Sequence, residues 1–63
     1  MDLDTKVLYA RWYATNADDE ALFKTLLTEV INADPNAIPE LVPENKNSQR
    51  IAKDLLENME DYF

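Results

Sequence analysis

An all-α fold follows from three features of the chain: it has no glycine, three of its segments repeat apolar residues at helical spacing, and its three prolines fall together between the second and third segments. Tight hairpin turns usually recruit glycine, so its absence weighs against a β-rich fold. The periodicity places the main helices at 3–15, 17–33 and 48–62, in one small helical domain spanning residues 1–63.

In the first segment Leu3, Val7, Ala10 and Ala14 line one face, and Tyr9 and Tyr13 widen it. Leu8 and Trp12 lie away from that face, which leaves Asp4 and Arg11 in a narrow polar strip. A lone bundle of three helices does not need so much apolar width. Either the helix is sandwiched between the other two and uses the width as core, or part of it meets a partner or a second copy. Trp and Tyr are enriched among interface anchors, which makes Leu8, Tyr9, Trp12 and Tyr13 the candidate binding residues here.

The second segment is the clearest. Leu22, Phe23, Leu26, Leu27, Val30 and Ile31 cover about half the circumference of a helix and define a core face. Thr15 or Asn16 is the expected cap, with Asp18, Asp19 and Glu20 following where the helix dipole favours negative charge. Capping accounts for that acidic triplet, which lacks the glycine and the later ligands of a calcium loop.

Three prolines at spacings of four, Pro35, Pro39 and Pro43, forbid an uninterrupted helix through the connector. Pro39 followed by Glu40, Leu41 and Val42 is expected to open one short helical or 3₁₀ turn, with Ile38, Leu41 and Val42 plugging the open end of the bundle. The third helix is expected to start from a cap at Asn47 or Ser48. It is expected to line one side with Ile51, Ala52, Leu55, Leu56, Met59, Tyr62 and Phe63, and to pair Arg50 with Asp54 and Lys53 with Glu57 along its outer side. At its end Glu57, Glu60 and Asp61 gather where the dipole is already negative. Capping cannot explain these acids, so they are the second group of candidate partner-binding residues.

Composition removes most chemistry. There is no histidine to act as a base near neutral pH, no cysteine nucleophile or thiolate ligand, and a single serine, Ser48. The expectation is therefore no enzyme, no cofactor and no metal. A formal net charge of −7 repels phosphate backbones and weighs against direct nucleic-acid binding. No apolar run is long enough to span a bilayer, and Met1, Asp2, Leu3 and Asp4 lack the character of a signal peptide, so the expected setting is cytoplasmic, with no membrane partner.

The function read from these features is a small acidic protein-binding module, a regulator or inhibitor that occludes a basic surface of a partner protein. Immunity proteins and phage inhibitors share this general character as a class. The alternative is a structural or assembly protein that forms a homodimer through the apolar surface of the first helix and so completes an undersized core.

Overall fold

The computed structural model describes residues 2–63 as three helical elements packed against one another, with no strand among the described residues. The fold is thus the all-α bundle that the periodicity predicts. Its element boundaries differ from the expected ones in three places, each with a local cause.

The first helix begins with α1, Leu3–Leu8, and continues as a π-helical segment, Tyr9–Ala14. Asp2 caps it: its carboxylate accepts a 2.7 Å hydrogen bond from the Thr5 backbone N–H. The helix ends in a Schellman arrangement, in which the N–H of Asp18 donates to the Thr15 carbonyl at 3.1 Å and that of Asp19 to the Ala14 carbonyl at 2.8 Å. Asp18 holds the left-handed position with φ of 54°. Glycine ordinarily occupies that position, and in a chain without any the short polar Asp takes it.

Asp19 then serves two elements. Besides closing the first helix, its side chain accepts from the Leu22 N–H at 3.0 Å and caps α2, Glu20–Asn32. The expected helix at 17–33 therefore starts three residues later, and its cap is an acid from the triplet rather than Thr15 or Asn16. Thr15 instead donates its hydroxyl back to the Arg11 and Trp12 carbonyls, within the first helix.

Past α2 the chain turns on Asp34, whose carboxylate accepts from the Asn36 N–H at 2.9 Å. A 3₁₀ turn at Pro39–Leu41 follows, where the sequence places it. α3 then runs Val42–Glu57, starting six residues before the predicted 48. Pro43 lies in its first turn, where the missing N–H has no intrahelical acceptor to lose, so this proline starts a helix instead of breaking one. Asn47 and Ser48 are accordingly not caps. Ser48 is a buried residue of the helix interior. After α3 a second 3₁₀ turn, Met59–Asp61, takes the place of the last helical turn predicted to reach 62.

The core is built from α2 outward. Phe23, Leu27 and Val30 are fully buried, and around them stand Val7, Ala10 and Ala14 from the first helix and Ala52 and Leu55 from α3. Small side chains at Ala10, Ala14, Ser48 and Ala52 permit close approach of the backbones, so a modest set of large residues fills the interior. The chain end folds back over this core: the Phe63 ring meets Phe23 edge-on at 5.2 Å and the Tyr62 ring lies 5.9 Å from it.

Gln49 fastens α3 to the end of α2. Its Nε2 donates to the carbonyls of Ala33 at 2.8 Å and Val30 at 3.1 Å, with Ile31 at 3.4 Å. These carbonyls lie at the end of α2, where the helix runs out of backbone donors; that of Val30 also accepts from the Ala33 N–H at 3.3 Å. Asn45 similarly ties the connector by donating to the Pro35 carbonyl at 3.3 Å. Ile38 does not plug the bundle as expected, since it is 51% exposed; only Leu41 and Val42 turn partly inward.

Candidate functional site

The first helix divides its side chains by size in an unusual way. It buries Val7, Ala10 and Ala14 and leaves Leu8, Tyr9, Trp12 and Tyr13 exposed at 51%, 40%, 57% and 52%. The core takes Val7 and the two alanines, with Leu3 partly buried against it. The large ones form an outer face, and all four candidate residues from this helix lie on it.

Local geometry orders that face. Tyr9 and Tyr13 stack with centroids 4.6 Å apart and planes 26° from parallel, within the wider turns of the π segment. The Arg11 guanidinium carbon stands 4.4 Å from the centroid of the Trp12 ring and 4.5 Å from that of Tyr62. Arg11 is half-buried, and the contact with Tyr62 draws the chain end to the side of the π segment. The partner residue Tyr62 was read in the sequence only as a core position, and Arg11 only as part of a polar strip. The sequence does carry a signal for Arg11: every one of the thirteen acidic residues lies outside residues 5–17, whose only charges are Lys6 and Arg11. Lys6 is held by Glu29 of α2 at 3.2 Å.

Glu57, Glu60 and Asp61, the other predicted group, are exposed. Glu57 ends α3, while Glu60 and Asp61 lie in the 3₁₀ turn that follows. Between Glu57 and Glu60 the Asn58 side chain donates to the Asp54 carbonyl at 2.8 Å and closes α3.

Two hollows of about 260 Å³ each open elsewhere on the surface. One is polar and bounded by Asp2, Asp4, Glu44, Asn47 and Ser48. Asp2 there has its carboxyl held below the usual range by the hydrogen bonds it accepts from Thr5. The other is an apolar groove at the connector, floored by Leu3, Ala33, Ala37, Ile38 and Leu41 with Asp34 at its edge. Among the described residues no three His, Cys, Asp or Glu side chains converge as a metal-ligand set. No described helix is long and apolar enough to cross a membrane.

Comparison with known proteins gives one match: the family TAtT, TRAP transporter T-component, aligns with residues 1–63. No curated protein and no solved structure matches the chain. The family overturns the expected function. A transporter component is not a free cytoplasmic inhibitor or regulator that occludes a basic surface, and the expectation of no membrane partner falls with that reading. The reason is that net charge and composition describe what a surface repels and leave open which assembly it serves. With the match running over the whole sequence, the chain belongs to the TAtT family of TRAP transporter T-components.

Proposed function

We propose that this chain acts without chemistry of its own, as a helical docking element of a TRAP transporter system. The observation that carries the reading is the family match over residues 1–63. Two features support it. The chain has no histidine or cysteine with which to catalyse a reaction. It also presents Leu8, Tyr9, Trp12 and Tyr13 outward on one well-packed helix, an arrangement suited to contact with another component.

The test is co-expression of the tagged chain with the TRAP transporter of its source organism, followed by detergent extraction and affinity purification. Stoichiometric co-elution is expected, reduced by Trp12→Ala together with Tyr13→Ala while circular dichroism stays unchanged. Elution of the chain alone, with transporter uptake unaffected by its deletion, would overturn the reading.

A further inference from the structure

We infer that the face formed by Leu8, Tyr9, Trp12 and Tyr13 takes an amphipathic helix of a partner protein that carries a carboxylate beside its apolar stripe, and that Arg11 is the receptor for that carboxylate. The inference deepens the docking role proposed above and rests on it.

The chemistry of the face selects the partner. Residues 5–17 contain none of the thirteen acids of the chain, so the helix that carries the stacked tyrosines brings N–H and O–H donors to this face and adds no carboxylate of its own. Lys6 is already paired with Glu29, which leaves Arg11 as the cation to be satisfied. Among the described residues Arg11 has no ion-pair partner. Contact with Trp12 and Tyr62 restrains the guanidinium and lowers the entropy lost on binding, while its N–H groups suit two-pronged contact with a carboxylate.

Charge complementarity also argues against the other occupants. A second copy joined through the same face would bring cation to cation. A lipid surface rich in anionic headgroups would be opposed by the net charge of −7, against which this strip sets two cations. A carboxylate on a partner helix meets repulsion on the acid-bearing faces and is accommodated on this one, so the acids elsewhere help to fix where the partner binds.

Trp12 is the one tryptophan in the chain, and its fluorescence reports on this face directly. The probes are two synthetic amphipathic helical peptides with the same leucine stripe, one flanked by glutamates and the other by glutamines. The expected result is a saturable blue shift with the Glu peptide, with the Gln peptide about tenfold weaker. Arg11→Lys should remove most of that preference while circular dichroism is unchanged, because it keeps the charge and loses the fork. Glu60→Gln with Asp61→Asn should tighten binding of the Glu peptide, since it removes two negative charges that precede Tyr62 in the chain and repel a carboxylate bound at Arg11.

Equal affinity for the two peptides, no shift with either, or an Arg11→Lys variant that retains the preference would each overturn the inference. So would a shift produced by phosphatidylcholine–phosphatidylglycerol vesicles and by neither peptide, which would assign the face to lipid. These failures leave the transporter role standing if the chain still co-elutes with the transporter, so the two readings fail separately.

Discussion

α2 and the first helix are built to opposite plans. α2 hides its large residues, with Phe23, Leu27 and Val30 fully buried, and presents Lys24, Thr25, Thr28 and Glu29 outward. The first helix hides its small residues and presents Leu8, Tyr9, Trp12 and Tyr13. The stability of the bundle therefore rests mainly on α2 and the residues it meets. The first helix lends a rigid backbone to a surface from which the core draws little, and that division makes the outer face available for docking.

Substitutions sharpen the contrast. Phe23→Ala removes the ring that meets Tyr62 and Phe63 within the core, and a buried aromatic truncated to alanine costs about 3–5 kcal/mol. In a domain this small such a loss should abolish the cooperative urea transition. Trp12→Ala, on the 57% exposed position, should shift the same transition by about 1 kcal/mol or less and act on docking instead. A Trp12→Ala variant as unstable as Phe23→Ala would show that the outer face is core after all and would end the comparison.

Gln49→Ala tests the joint between α2 and α3. Losing the side chain that serves the Ala33, Val30 and Ile31 carbonyls should cost about 1–2 kcal/mol, read as a lower melting temperature by circular dichroism. Asp18→Gly should move stability the other way. Glycine adopts a φ of 54° without steric cost, and the exchange should raise stability by about 0.5–1 kcal/mol. No gain there would mean that the Asp18 side chain contributes an interaction that offsets its backbone strain.

The parts of this molecule that the sequence announced are those governed by one dominant force. Periodicity of Leu22, Phe23, Leu26, Leu27, Val30 and Ile31 made α2 legible because burial outweighs every local choice over thirteen residues. Boundaries escaped where two roles compete for one residue type. Pro43 can stop or start a helix, and which it does depends on whether its N–H would have had a partner. Asp18 and Asp19 read as a first turn, yet the absence of glycine forces one into a left-handed cap and leaves the other to open the next helix.

The candidate site was legible by residue and obscure in its chemistry. Leu8, Tyr9, Trp12 and Tyr13 stand out by their excess apolar width, but the role of Arg11 depends on Tyr62 returning from 51 residues away, a tertiary fact with no local trace. The transporter setting was beyond sequence physics altogether: an acidic surface without histidine is compatible with many assemblies, and only the family match distinguishes among them.

The smallest expected effect concerns Asp2, where the first helix begins. Its carboxyl is depressed by the hydrogen bonds from Thr5, so the folded state holds the ionised form more tightly than the unfolded chain does. The sign follows directly. The unfolded chain takes up this proton first as pH falls, so the contribution is fully present above the ordinary carboxylate pKa and is lost as pH drops through the lower folded value. Asp2→Asn keeps a capping oxygen for the Thr5 N–H but cannot titrate. Urea titrations of the two proteins should therefore run nearly parallel at neutral pH and converge on the acid side, the native chain losing stability faster through the carboxylate range. Identical slopes there would mean that the Asp2 cap frays in solution, and that the helix carrying the docking face is anchored by Val7, Ala10 and Ala14 without help from its first turn.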